Sequence, residues 1–123
     1  MDINDLTGQI IGSAIEVHKP LGPGLLESVY EGCLGHEFDL REFRYKRQYA
    51  IDVEYNGVRL DSGYRFDFLV EDLVILELKS VDSLEPIHEA QILTYLKLTG
   101  LRVGLLINFN VPVLRDGIKS VIL

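Results

Sequence analysis

The sequence is poor in the features that mark secreted and membrane-embedded proteins. It contains one cysteine, Cys33, so no disulfide can form within the chain. The N-terminus does not combine basic residues, an apolar stretch and a small-residue cleavage site. No apolar run approaches the ~20 residues needed to span a bilayer. These absences argue against a disulfide scaffold and a transmembrane protein, and they predict a cytoplasmic location.

Positive charge is also scarce. The chain has 12 Lys and Arg residues against 19 Asp and Glu residues, a formal net charge of -7. This balance argues against nucleic-acid binding, because phosphate contacts normally require Lys and Arg to dominate some part of the surface. The basic residues concentrate in one short run, made of Arg41, Arg44, Lys46 and Arg47. Such a run most often forms a solvated edge; the alternative is a surface that follows a phosphate backbone.

The sequence shows no repeat, linker or low-complexity segment. With 123 residues and 47% hydrophobic content, we expect one domain, residues 1–123, with a core of its own. Neither a Ser-His-Asp arrangement nor a glycine-rich phosphate loop can be identified, so a small-molecule enzyme unrelated to phosphate has little support.

Apolar spacing, capping residues and breakers predict three helices. They run from Asn4 or Asp5 to about His18, from about Leu25 to Asp39, and from Glu85-Pro86 to Gly100. Two prolines and two glycines in "KPLGPG", residues 19–24, are expected to end the first helix.

Between and after these helices the pattern is that of strands. From Tyr45 the apolar period is two, and Asn56-Gly57 is a strong hairpin signal. Residues 63–70 ("GYRFDFLV") alternate again, with Phe66 and Phe68 expected on one face. The runs "LVIL" (73–76) and "RVGLLINF" (102–109) are apolar throughout, as expected for strands covered on both faces. The tail "GIKSVIL" can add one more strand.

The element order is therefore ααβββαβ(β). This order predicts an α+β or α/β layer sandwich, with a mixed central sheet flanked by helices. One helical crossover would join a β-meander to a parallel strand.

Charged residues interrupt two of the apolar strands. Glu77 and Lys79 lie two apart and leave the same face, and Asp67 interrupts the preceding strand. One interpretation is a structural ion pair of Glu77 with Lys79 or with Arg65. The other is a Mg²⁺ site, formed by Asp67, Glu77 and a backbone carbonyl such as that of Leu78. Mg²⁺ takes one or two carboxylates and keeps several waters, so these ligands would suffice.

The shared site carries a geometric condition. A strict two-residue turn would place Asp67 and Glu77 on opposite faces of the sheet. The site therefore requires an odd-length loop, for instance Glu71-Asp72-Leu73, or a β-bulge.

Helical residues are expected near the same place. Gln91 and Tyr95 lie four apart and share a face of the third helix, with His88 one turn before Gln91. Glu27 begins the second helix, where the helix dipole favours a carboxylate. Taken alone, a Gln and a Tyr at this spacing are more often surface and core residues, and Glu27 can simply stabilise the helix end.

The motifs resemble those of a known family. "GLLESVY" (24–30), "RFDFLV", "ELK" and a helix with "AQILTYL" are similar to the GxxExxY protein family of the PD-(D/E)XK nuclease superfamily. "HKPLGPG", "GLLINFN" (104–110) and "DGIK" (116–119) extend the resemblance over essentially the whole chain.

The resemblance implies a restriction-endonuclease-like fold and roles for particular residues. Asp67 takes the first acidic position, Glu77-Leu78-Lys79 the E-x-K element, and Glu27 the additional acid. Gln91 and Tyr95 match the Q-x-x-x-Y helix motif of RecB-like nucleases. The proline of the superfamily motif is absent, because Phe66 precedes Asp67.

Two functions follow as expectations. The first is Mg²⁺-dependent phosphodiester cleavage, with Mn²⁺ able to substitute and DNA preferred over RNA as substrate. The catalytic set would be Glu27, Asp67, Glu77, Lys79, Gln91 and Tyr95. The second is a catalytically silent module, either a homodimer or a subunit of a nucleic-acid-processing complex. Its pairing surface would be a sheet edge formed by "GLLINFN" and the terminal "SVIL".

Overall fold

A five-stranded mixed sheet forms the centre of the molecule, with helices on both faces. The computed structural model describes all 123 residues. Its elements in chain order are α1 (Ile3–Leu21), α2 (Glu27–Leu40), β1 (Tyr45–Tyr55), β2 (Val58–Val70), β3 (Val74–Lys79), α3 (Pro86–Thr99), β4 (Val103–Asn108), a 3₁₀ helix (Leu114–Gly117) and β5 (Ile118–Ile122). The strands lie in sequence order, and only β3 and β4, which α3 connects, run parallel. The predicted element order and mixed sheet are confirmed.

The sheet separates two hydrophobic clusters. On one face α1 and α2 pack through residues such as Ile10 and Phe38 against Phe68 of β2 and Leu76 of β3. On the other face α3 packs against the sheet, and Ile75 of β3 belongs to that cluster. Strand β3 is thus buried on both sides, as its continuous apolar run predicts.

Helix α1 extends further than the sequence predicts. It runs to Leu21 with Pro20 inside its last turn, and the amide of Gly22 closes it by donating to the His18 carbonyl at 2.8 Å. Residues 19–24 end the helix as predicted, but its last residue lies three beyond the predicted His18, because a proline this close to the end removes only one amide donor from a helix that ends at the next residue. Gly22, with φ 65°, supplies the left-handed backbone that ends it.

The alternation of β2 changes phase at Asp67. Phe66 packs in the α3-side cluster and Phe68 in the cluster on the opposite face. The expectation that both rings share a face was wrong. The neighbouring strand is irregular at the same level, where Gln48 adopts a left-handed φ of 52°.

The expected pairing edge is also altered. Strand β4, which contains most of "GLLINFN", lies inside the sheet between β3 and β5, so only β5 and β1 are edge strands. None of the three α-helices combines the length and the hydrophobicity that a bilayer-spanning helix needs.

Candidate active site

Asp67 and Glu77 meet where β2 and β3 separate. The register pairs Val70 with Val74 and Phe68 with Leu76, so the next position sets Asp67 opposite Glu77. The turn between the strands has three residues, Glu71 to Leu73, and the odd-length condition is met.

Side chains replace the backbone ladder at this point. The Asp67 amide donates to Glu77 Oε1 at 3.0 Å, and the Leu78 amide donates to Asp67 Oδ2 at 2.7 Å. Each carboxylate takes the place of a backbone acceptor on the neighbouring strand. The two acids are therefore held between the strands by each other's backbone.

Burial raises the pKa of both carboxyl groups above the values of ordinary aspartate and glutamate side chains. Desolvation, followed by the charge of Asp67, raises the pKa of Glu77 to about 8, although Lys79 opposes the shift. Desolvation raises the pKa of Asp67 to about 6 against the hydrogen bond from the Leu78 amide, and the charge of Glu31 adds to the increase. A further positive charge nearby would lower both pKa values by stabilising the ionised carboxylates. A divalent cation can supply this charge, because it prefers hard carboxylate oxygens as ligands.

Lys79 partly supplies that charge. Its Nζ lies 3.8 Å from Glu77 Oε2, and both side chains are largely buried. The structural ion pair considered from the sequence is therefore present. Arg65 does not take part, because its guanidinium donates to the Gln48 carbonyl instead. The Lys79 ammonium group therefore offsets the charge of Glu77.

The Leu78 carbonyl is oriented toward the same place. The Lys79 carbonyl accepts from the Phe109 amide on the β4 side, whereas the Leu78 amide points to Asp67 on the β2 side. Because the N–H and C=O of one strand residue point the same way, the Leu78 carbonyl also faces β2.

Glu27 stands beside this site at the end of β3. The Ser80 amide donates to Glu27 Oε2 at 3.3 Å, and Ser80 Oγ donates to the Leu25 carbonyl at 2.7 Å. The charge of Glu27 contributes to the raised pKa of Glu77 as the smallest of its causes. No group of three or more His, Cys, Asp and Glu side chains is placed to hold a metal ion. An ion would therefore depend on the Asp67–Glu77 pair, with waters completing its shell.

Tyr30 explains the spacing of the motif around Glu27. Its hydroxyl donates to the Gly22 carbonyl at 2.6 Å and accepts from the Leu25 amide at 3.2 Å. Its ring stacks on Phe109 with centroids 4.4 Å apart. The loop before α2 is thereby tied to the core, which fixes the helix start that carries Glu27.

Helix α3 brings Tyr95 and Gln91 to the side of the sheet that holds Glu77. Tyr95 is buried, and the charge of Glu77 adds to desolvation in raising its pKa. Gln91 lines a groove of about 240 Å³ with Tyr95 and Tyr64. His88 does not join them, because its Nδ1 accepts from the Glu85 amide at 3.0 Å and caps the helix.

Two residues that were not among the predicted site residues, Gln48 and Glu31, contact or influence Asp67. Gln48 Nε2 donates to Glu31 Oε1 at 2.7 Å and to Asp67 Oδ1 at 3.1 Å. Glu31 follows Glu27 by four positions on α2, a spacing that places both on one helical face and could have identified it. No comparable signal exists for Gln48, whose strand pattern predicts only an exposed residue.

The basic run does not form a free cationic surface. Each of its members lies within 4 Å of a carboxylate: Arg41 with Glu37 (2.8 Å), Arg44 with Glu71 (3.7 Å), Lys46 with Asp72 (3.5 Å) and Arg47 with Glu31 (2.8 Å). These pairs favour the interpretation of a solvated edge over a surface that follows phosphates.

Comparison with known protein families agrees with the geometry. The family model described as the PD-(D/E)XK nuclease superfamily matches residues 4–121. The chain belongs to this superfamily. The mixed sheet flanked by three helices is consistent with its restriction-endonuclease-like fold, and membership indicates a nuclease-type function and nucleic-acid binding. PD-(D/E)XK nucleases generally use divalent metal ions. No curated protein and no solved structure matches the chain.

Proposed function

We propose that this chain is a Mg²⁺-dependent nuclease of the GxxExxY type that cleaves phosphodiesters, with DNA as the preferred substrate over RNA. The observation that carries the proposal is the crossed pair of hydrogen bonds joining Asp67 and Glu77 to each other's strands. An apolar sheet gains nothing from two buried like charges at this position. A bound cation would offset the cost of burying them.

The donor set suits Mg²⁺, with Mn²⁺ as a substitute. Asp67 and Glu77 supply two carboxylates, and the Leu78 carbonyl faces the same side of β3. Mg²⁺ retains several waters when proteins bind it, so a third carboxylate is not required. Glu27, the first residue of α2, lies beside the end of β3 and would contact the ion through a water or hold a second ion.

The remaining residues have roles that match their chemistry. When bound, the ion would polarise the scissile phosphate and lower the pKa of a water. Lys79, beside Glu77, would orient the attacking water or stabilise negative charge that develops on the phosphate. Gln91 and Tyr95, on α3, would position the phosphate or the nearest nucleotide.

Cleavage of end-labelled DNA and RNA, with Mg²⁺ and with Mn²⁺, tests the proposal. Lys79→Ala should reduce nicking at least ~100-fold while leaving metal affinity nearly unchanged, because its ammonium acts on the reacting groups. Lys97→Ala is the matched control, since Lys97 is an exposed lysine on α3 outside the site. Unchanged cleavage by Lys79→Ala would remove this residue from the mechanism.

The second candidate is a non-catalytic module that pairs with another copy or with a protein partner. Two observations favour it: the basic run is neutralised, and the tip of the β1–β2 hairpin exposes Tyr55, Val58 and Leu60. A nuclease-fold subunit could leave phosphate binding to its partner. A wild-type protein that binds neither Mg²⁺ nor Mn²⁺ but forms a stable dimer would support this candidate against the first.

A further inference from the structure

We infer that Gln48 is a positioning residue for Asp67. Its side-chain amide fixes the orientation of the first acid and joins it to Glu31. The inference rests on the proposed metal site, but the contacts that suggest it are visible without the ion.

The backbone at Gln48 is unusual. Its φ is 52°, in the left-handed region that few non-glycine residues adopt, and glutamine is not among those enriched there. The pairs Arg47–Phe68 and Tyr49–Phe66 flank it, so the register sets Gln48 level with Asp67. Strained backbone of this kind persists where the surroundings enforce it, often at functional sites.

The side chain bridges two carboxylates. Nε2 donates to Asp67 Oδ1 at 3.1 Å and to Glu31 Oε1 at 2.7 Å, so both amide hydrogens have acceptors. Asp67 Oδ2 accepts from the Leu78 amide. Both oxygens of Asp67 are therefore held, and the carboxylate cannot rotate freely.

A second contact fixes the bridge itself. The Arg47 guanidinium donates to Glu31 Oε2 at 2.8 Å from Nη2 and at 3.2 Å from Nε. Glu31 is thus held from one side by Arg47 and from the other by Gln48. The result is a chain of contacts from α2 through β1 to Asp67 on β2, of the kind that orients metal ligands from behind.

The left-handed backbone also has a packing role, which must be separated from that of the amide. It lets Tyr49 stack on Phe66 on one face, with centroids 5.2 Å apart, while Arg47 lies over Phe68 on the other. Gln48→Gly separates the two roles, because glycine keeps the backbone conformation and removes the side chain. Gln48→Asn keeps the amide and tolerates the left-handed region, but is one methylene too short to span both carboxylates.

Mn²⁺ affinity, followed by electron paramagnetic resonance, is the first measurement. Gln48→Gly should bind Mn²⁺ about 10–100-fold more weakly than the wild type, the usual effect of losing a group that orients a ligand. The melting temperature should be nearly unchanged, and Gln48→Asn should lie between the two. Asn56→Gly, at the other non-glycine residue of the β1–β2 hairpin with a left-handed φ, is the matched control and should bind like the wild type. Equal or tighter binding by a folded Gln48→Gly would overturn the inference.

The second measurement needs no metal. In the metal-free protein, nuclear magnetic resonance should show that the chemical shift of the Gln48 side-chain NH2 group differs from that of a free glutamine. The substitution Asp67→Asn should change this chemical shift. A Gln48 side-chain amide with the chemical shift of a free glutamine would overturn the inference even if Gln48→Gly failed to fold. A displaced amide in a protein that binds no metal would sustain the contact and contradict the proposed metal site, so the two failures are distinguishable.

Discussion

The backbone amide of Asp67 donates a 3.0 Å hydrogen bond to the carboxylate of Glu77, the residue that faces it across the β2–β3 pair. This contact brings a second acid to a place where burial already disfavours negative charge. The metal-free fold therefore carries an electrostatic cost at this point, and that cost depends on pH.

We expect the metal-free protein to lose stability as the pH rises through this region. The pKa of Glu77 is about 8 in the folded state against 4.5 for an ordinary glutamate, and that of Asp67 is about 6 against 3.8. Between each pair of values the folded state holds a proton that the unfolded state has lost, so raising the pH lowers the free energy of unfolding. The loss attributable to Glu77 should be about 3–4 kcal/mol between pH 5 and pH 8.

Urea unfolding in the presence of a chelator measures this loss. Glu77→Gln is the control, because a neutral amide removes the titration while keeping the shape of the side chain. The free energy of unfolding of Glu77→Gln minus that of the wild type should increase as the pH rises. A difference that stays constant would show that Glu77 titrates normally in the folded protein.

Tyr30→Phe should destabilise the fold by about 1–3 kcal/mol, because two hydrogen bonds of its hydroxyl are lost while its ring still stacks on Phe109. The loop before α2 should also exchange its amide hydrogens faster, with Leu25 as the most direct reporter. Tyr55→Phe, at an exposed position, should change stability by less than ~0.5 kcal/mol. Equal effects of the two variants would remove Tyr30 from the anchoring of Glu27.

Gly117→Ala should cost about 3 kcal/mol or more, or prevent folding, because a Cβ there would overlap the backbone carbonyl of Asn108. The side chain of Asn108 in turn holds the segment after β3. Its Nδ2 donates to the Val81 carbonyl at 3.0 Å, and its Oδ1 accepts from the Val81 amide at 3.1 Å. Gly8→Ala is the matched control on α1, where a Cβ meets nothing within 4 Å and should stabilise the helix by ~0.5–1 kcal/mol. Thermal unfolding should show a lower melting temperature for Gly117→Ala and a slightly higher one for Gly8→Ala. An unchanged melting temperature for Gly117→Ala would contradict the close approach of Gly117 to the Asn108 carbonyl.

Local patterns predicted much of this fold because they reflect local physics. Asn56 and Gly57 both adopt left-handed backbone, with φ 50° and 79°, as the hairpin signal requires. The apolar runs of β3 and β4 predicted strands covered on both faces, and both were found inside the sheet. The loop parity between Val70 and Val74 was decisive, since it determined in advance whether Asp67 could face Glu77.

What sequence could not predict depends on contacts between distant residues. Period-two reasoning placed Phe66 and Phe68 on one face, but the irregularity at Gln48 and Asp67 puts them on opposite faces. The bridge from Glu31 through Gln48 to Asp67 joins three elements, and neither local spacing nor propensity encodes such a meeting. The neutral state of the basic run likewise depends on carboxylates brought near by folding, such as Glu71 beside Arg44.

The central claim is that Asp67 and Glu77 together hold a divalent ion, and calorimetric titration with Mn²⁺ tests it most directly. At pH 8 the wild type should bind Mn²⁺ and release protons, because both carboxyl groups must be deprotonated to bind it. Asp67→Ala should abolish that binding. Absence of binding by the wild type, or equal binding after Asp67→Ala, would contradict the account.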